Sequence, residues 1–208
     1  MSKPGTLTLT LVRSGATEWD DAGRLQGSTD LPMSESGREA LAACLEHSLN
    51  GQAKALTLVL HACDEASVQT AQAIVDRGGA RRREAPGLCD MDIGLWAGLR
   101  EAELFERHPT LFRTWREDPG SITPPDGENL IDAEERILGA LSRSLSKVSR
   151  GPVAVVLRPF ARAVVRCRLQ DRPLAELWKA ADEAQPIETF EVPRSRLEPV
   201  RTGLRAGA

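Results

Sequence analysis

Residues 11–41 read LVRSGATEWDDAGRLQGSTDLPMSESGREAL and carry the chain from the end of a strand, through a long loop with no apolar period, into a helix. The strand is residues 6–12, TLTLTLV, where apolar residues alternate with β-branched threonines in the two-residue period of an extended chain. It delivers Arg13, Ser14 and Gly15 into the loop, which runs to Pro32. From Ser34 the pattern turns helical. Ser36 and Glu39 have the spacing of a capping box, and Leu41, Leu45 and Leu49 recur every four residues until Asn50-Gly51 stops them.

The same strand–loop–helix unit recurs downstream. Residues 56–61 (LTLVLH) are nearly all apolar, the signature of a strand covered on both faces. Asp64 is placed to cap a helix bearing Val68, Ala71, Ile74 and Val75, which Gly78-Gly79 ends. Residues 80–93 have room for one more short strand. A Trp-containing, mostly helical excursion then runs from Gly94 to about Pro119, followed by the breaker-rich PGSITPPDG; the whole stretch, about 94–128, predicts a lid. A third unit comprises a helix over about 129–147 through Leu130, Ala133, Ile137, Leu141 and Leu145, the β-branched strand VAVVL after Gly151-Pro152, and a helix to about Leu169. Near the end, Ile187, Thr189 and Glu191 alternate with Glu188, Phe190 and Val192. Residues Arg196 to Val200 are expected to pair back across Pro193 as a hairpin-like edge.

Strands alternating with helices predict an α/β fold, a three-layer α/β/α sandwich around a mainly parallel central sheet, within a single domain over residues 1–208. Such sheets place their sites at the carboxyl ends of the strands, so Arg13–Gly15, His61–Asp64 and Leu157–Phe160 should line one pocket. Net charge is −3, from 27 basic and 30 acidic residues dispersed along the chain, which excludes the electrostatic footprint of a nucleic-acid or anionic-membrane binder. A small molecule or a protein, a second copy of the chain included as a homodimer, is the expected partner. No apolar run reaches the length of a membrane helix and the first residues lack the pattern of a signal peptide, so a cytoplasmic location is expected. Cys44, Cys63, Cys89 and Cys167 are scattered singly and match no zinc spacing; reduced thiols, no metal and no cofactor are the reading.

Residues 11–41, with their Gly-Arg-Leu-Gln-Gly turn at 23–27, resemble the opening segment of the histidine phosphatase (phosphoglycerate mutase-like) superfamily. Further similar blocks follow in that family's order: VLHACDEASVQTAQAI (59–74), LCDMDIGLWAGL (88–99), PPDGENLIDAEERI (124–137) and VAVVLRPFARAV (153–164). The resemblance implies a phosphoglycerate mutase-like fold and a chemistry in which a histidine attacks phosphorus. Two arginines and a second histidine hold the phosphoryl oxygens there, and a carboxylic acid protonates the leaving group.

Carried over position by position, that pattern is mostly replaced. The nucleophile position holds Ser14, the first arginine is retained as Arg13, the second arginine is Ala66, a phosphate-holding asparagine is Asp20, the second histidine is Arg158, and the acid is Asp90. The chain's three histidines, His47, His61 and His108, occupy none of these positions. A serine hydroxyl needs a base that an imidazole does not, and none is apparent. Two arginines against two aspartates leave the pocket near neutral, and Pro159-Phe160 stands where the family has two glycines, filling space and removing an N–H.

The predicted ligand-binding set is Arg13, Ser14, Asp20, Arg24, His61, Asp90 and Arg158, with Ser14, Asp90, Arg158 and Ala66 as the degenerate catalytic positions. Arg13 and Arg158 either form a residual anion site or pair internally with Asp20 or Asp90. The expected function is a pseudophosphatase retained as a ligand-binding or assembly module. The alternative is a phosphatase acting on a small phosphoester through a rebuilt site of Ser14, Asp90, Arg13 and Arg158. Trp19, Trp96 and Trp115 are read as packing residues, and Arg81-Arg82-Arg83 as a solvated edge.

Overall fold

The structure, a computed structural model, describes residues 5–49, 52–148 and 151–197. Its centre is a five-stranded sheet in the order β3-β2-β4-β1-β5, made of β1 (Thr6–Arg13), β2 (Leu58–His61), β3 (Arg81–Glu84), β4 (Val153–Leu157) and β5 (Ile187–Pro193). The three pairings among β3, β2, β4 and β1 are parallel and β5 alone runs antiparallel, along β1 from Thr6↔Pro193 to Val12↔Ile187. The expected mainly parallel α/β architecture is therefore present, and β1, β4 and β2 lie side by side with their carboxyl ends together.

Two-residue alternation explains why these strands read as nearly continuous apolar runs. In β4, Val153, Val155 and Leu157 enter one core while Ala154 and Val156 enter the other; in β1, Leu7, Leu9 and Leu11 face the first core and Val12 the second. The first core is closed by α6 (Leu130–Leu145) and α7 (Pro159–Gln170), through Ile137, Leu141, Val164 and Val165. The second is closed by α2 (Glu35–Ser48) and α3 (Glu65–Gly78), through Leu41, Leu45, Ala71 and Ile74. Each fully buried aliphatic side chain contributes on the order of 2 kcal/mol, so a strand covered on both sides gains from every residue. The edge strand β3, RRRE, is largely exposed, and its charges discourage edge-to-edge pairing.

Several expectations are corrected in detail. The cap of α2 is Ser34, whose Oγ accepts from the Gly37 N–H at 3.0 Å, whereas Ser36 donates to Asp21 Oδ2. Gly37 has a packing reason: a Cβ there would collide with the Ala16 carbonyl, so glycine lets α2 lie against the loop that leaves β1. Asn50 and Gly51, assigned as its stop, lie outside the described residues. The second strand starts at Leu58, after a short turn at Ala53–Ala55. Residues Arg194–Leu197 form a 3-10 turn rather than a returning strand, and 198–200 lie outside the described residues.

The excursion contains α4 (Glu101–Arg107) and α5 (Pro109–Glu117) and is anchored in the first core by Leu104, Trp96 and Trp115. Trp115 gathers Trp96, Phe112, Phe160 and Trp178 around it, at ring-centroid separations of 4.6 to 6.1 Å. A short helix α8 (Leu177–Asp182), which no period in the sequence announces, seats Leu177 and Ala180 in the interior. The four-residue α1 (Glu18–Asp21) is capped by Thr17.

Candidate functional site

A cleft with about 580 Å³ of empty space opens beside the carboxyl ends of β1 and β4. Its polar wall is Asp20, Arg24, Gln26, Asp90, Glu101 and Arg158; its apolar wall is Leu25, Phe160, Ala163, Leu177, Trp178 and Ala181.

Arg158, which follows β4 and occupies the N-cap position of α7, lies at the base of this cleft with a side chain 3% exposed. Its Nη1 donates to Asp20 Oδ2 at 2.9 Å and its Nη2 to Asp20 Oδ1 at 3.2 Å, a two-pronged charge-assisted contact. Nη2 also donates to Gln26 Oε1 at 2.6 Å, and Nη1 reaches Ser14 Oγ at 3.4 Å. Asp20 is held from its other side by the backbone N–H and hydroxyl of Thr17, at 2.8 and 3.0 Å. Burial would push the Asp20 carboxyl up, but the Arg158 charge, its hydrogen bond and those from Thr17 outweigh this and hold Asp20 below its ordinary value. Both terminal nitrogens of Arg158 are thus matched by protein acceptors, while its buried Nε has no hydrogen-bond partner among the described residues.

Asp90 has a different role. Its Oδ1 accepts the Ala161 N–H at 2.6 Å, in the first turn of α7, where Pro159 has no N–H of its own. The carboxyl thereby caps a helix 71 residues further along the chain. Burial pushes its pKa up to about 7, against the opposing Arg158 charge and the backbone N–H groups of Ala161 and Phe160. Of the two aspartates that Arg158 had to choose between, the helix end occupies Asp90 and the two-pronged contact goes to Asp20.

The remaining predicted residues are dispersed. Ser14 is buried at 2% exposure, its backbone N–H bonded to Leu157 O, and among the described residues no carboxylate or imidazole lies within hydrogen-bonding distance of its Oγ. Arg13 is half-exposed, 3.9 Å from Asp20 Oδ1, and lines a separate, mainly apolar groove with Ser14, Leu41, Cys44 and Ile187. Arg24 lines the cleft but spends Nη1 on the Gly98 carbonyl at 2.6 Å. His61 is buried, with Nδ1 2.7 Å from the Ala62 carbonyl, and does not line the cleft. Ala66 is wholly buried in the second core. The sequence therefore brings Asp20, Arg24, Asp90 and Arg158 together and leaves Arg13, Ser14, His61 and Ala66 off the cleft wall.

Two residues that sequence reasoning missed matter here. Gln26 accepts from both Thr17 Oγ1, at 2.6 Å, and Arg158, and stands within the Gly-Arg-Leu-Gln-Gly turn, which was the available signal. Trp178 forms one wall, with its indole N–H on the Trp115 carbonyl at 2.9 Å, and nothing in the surrounding sequence marks it.

Comparison with known proteins accords with this layout. The family model described as "Histidine phosphatase superfamily (branch 1)" matches residues 9–201. Phosphoserine phosphatase 1 of Hydrogenobacter thermophilus is 27% identical over 170 residues, covering 82% of this chain and 79% of that protein. A glucosyl-3-phosphoglycerate phosphatase of Mycolicibacterium vanbaalenii is 30% identical over 131 residues, or 62% of this chain and 56% of the relative. Among solved structures, Bacillus stearothermophilus YhfR superposes with a TM-score of 0.74 at 26% identity, covering 83% of this chain and 84% of that one. The mycobacterial glucosyl-3-phosphoglycerate phosphatase Rv2419c, solved with VO3, gives 0.72 at 26% identity over 82% and 85%. With nearly its full length matched and its sheet, helices and cleft arranged as described, the chain belongs to the histidine phosphatase superfamily, branch 1.

Proposed function

We propose that this chain is a catalytically degenerate member of its superfamily, kept for binding a small molecule or for assembly. The observation that supports this most is the Arg158 guanidinium, buried and bonded to Asp20 and Gln26. A phosphate dianion would have to displace a carboxylate from that guanidinium to use it, and would meet Glu101 and Asp20 on the same wall. Two charge-assisted contacts are worth about 1.5 to 3 kcal/mol each, no more than the internal pair already supplies. Ser14, buried and without a base, is poorly suited to attack phosphorus. The apolar wall of Leu25, Phe160, Leu177 and Trp178 favours a small, partly aromatic ligand of low negative charge.

The Hydrogenobacter and Mycolicibacterium relatives are named as phosphatases, and the Asp90 carboxyl, its pKa pushed up to about 7 by burial, would suit a proton donor. That favours as a second reading a phosphoester hydrolase with a rebuilt site. Release of phosphate from a generic aryl phosphate separates the two. The expected result is no turnover above buffer by the unaltered protein, with a ligand-dependent thermal shift on a panel of small aromatic compounds. Turnover by the unaltered protein that Ser14→Ala abolishes would overturn the proposal.

A further inference from the structure

Cys63 and Cys89, which do not line the cleft, meet where the end of β2 passes the segment that carries Asp90. Their Sγ atoms stand 2.6 Å apart, against about 2.05 Å for a disulfide bond. Both are free thiols here, Cys63 exposed and Cys89 half-buried.

The backbone on each side is pinned. Asp64, next to Cys63, caps α3 by accepting the Ser67 N–H at 2.9 Å. On the other side, Arg136 of α6 donates to the carbonyls of Gly87, Cys89 and Asp90 at 3.1, 2.8 and 3.2 Å, and pairs with Glu128. Gly87 permits this approach, because a Cβ there would press on the Ala140 side chain. Two sulfurs held on anchored backbone within about half an ångström of bonding distance need little rearrangement to join.

From this geometry we propose that Cys63 and Cys89 form a modification site, closing to an intramolecular disulfide on exposure to a disulfide oxidant of the glutathione class. The exposed Cys63 thiolate attacks one sulfur of oxidised glutathione, forming a mixed disulfide and releasing one glutathione thiolate. The Cys89 thiolate then attacks the Cys63 sulfur and releases the second. Two protein thiols are oxidised and one glutathione disulfide is reduced to two thiols, which take up the two protons that the cysteine thiols give up. Burial and the hydrogen bond from Cys89 push the Cys63 thiol up to about 12, so the first step is slow at neutral pH and is aided by mildly alkaline buffer. The bond would tie the Asp90 segment to the end of β2 across a cavity with about 310 Å³ of empty space, lined by Cys63, Asp64, Cys89, Asp90 and Arg158.

The test uses the full-length chain incubated with excess oxidised glutathione, followed by non-reducing peptide mapping and thiol titration in denaturant. The expected result is a Cys63–Cys89 linked peptide and a fall from four titratable thiols to two, Cys44 and Cys167, reversed by dithiothreitol. Cys89→Ser should instead accumulate one glutathione on Cys63. Four thiols still titrating, stable glutathionylation of Cys63 in the unaltered protein, or chain-to-chain crosslinks in place of the ring would each overturn the proposal.

Discussion

Replacing Asp20 by asparagine restores the residue type that the superfamily resemblance places there, and the structure predicts that it harms this protein. The change keeps shape and an acceptor oxygen but deletes the charge facing a guanidinium that is 3% exposed, leaving Gln26 and Ser14 as its neutral partners. Removing one member of a buried ion pair costs about 3–5 kcal/mol; because one acceptor survives, the lower end applies, about 3 kcal/mol. For a chain of this size that is a fall in Tm of about 6–12 °C.

The assay is urea denaturation followed by tryptophan fluorescence, run as a double-mutant cycle with Arg158→Gln, in whose background Asp20→Asn should cost far less. A pH series adds an independent check. Asp20 titrates below its ordinary 3.8 in the folded chain, so its contribution is complete above that value and is lost as pH falls through the lower folded value. The gap between wild type and variant should therefore be full at neutral pH and narrow in acid. A cost below about 0.5 kcal/mol, or the same cost with and without Arg158, would refute the reasoning.

Asp90 has the opposite sign. Its folded pKa of about 7 exceeds 3.8, so its stabilising contribution is complete below 3.8 and is lost as pH rises to about 7; Asp90→Asn should abolish this loss in chemical denaturation at a series of pH values. Glu188 holds both Arg162 and Arg166, at 2.9 and 3.0 Å, between α7 and β5, so Glu188→Gln should cost about 3–5 kcal/mol and speed hydrogen exchange of β5 amides first. Gly37→Ala should cost more than about 2 kcal/mol by forcing α2 off the loop bearing Ser14, measurable by thermal melting, whereas the same change at the open position Gly79 should act only through its positive φ.

Elements set by periodicity were legible in the sequence. The alternation in TLTLTLV and the four-residue spacing of Leu41 and Leu45 follow from one face of local geometry meeting one core, and the unbroken VAVVL from two faces meeting two cores. The cap of α2 was not, because Ser34 and Ser36 are both competent and the choice rests on Gly37 lying against Ala16. Helix α8 is too short for a period and exists through the burial of Leu177 and Ala180. At the site, Arg158 was visible as a charge with Asp20 or Asp90 as its internal partner, but the choice between them was not, since it depends on α7 presenting the Ala161 N–H to Asp90. Gln26 and Trp178 join the cleft only through contacts distant in sequence.

The pairing of Arg158 with Asp20 also bears on how this chain could change over generations. Exchanging either partner alone strands a buried charge, so an imidazole at 158 or an amide at 20 would each pass through a less stable intermediate before the other could follow. Such mutual dependence acts as a ratchet: any exchange of this pair is a two-step crossing, while the apolar side of the cleft is free to diversify one residue at a time.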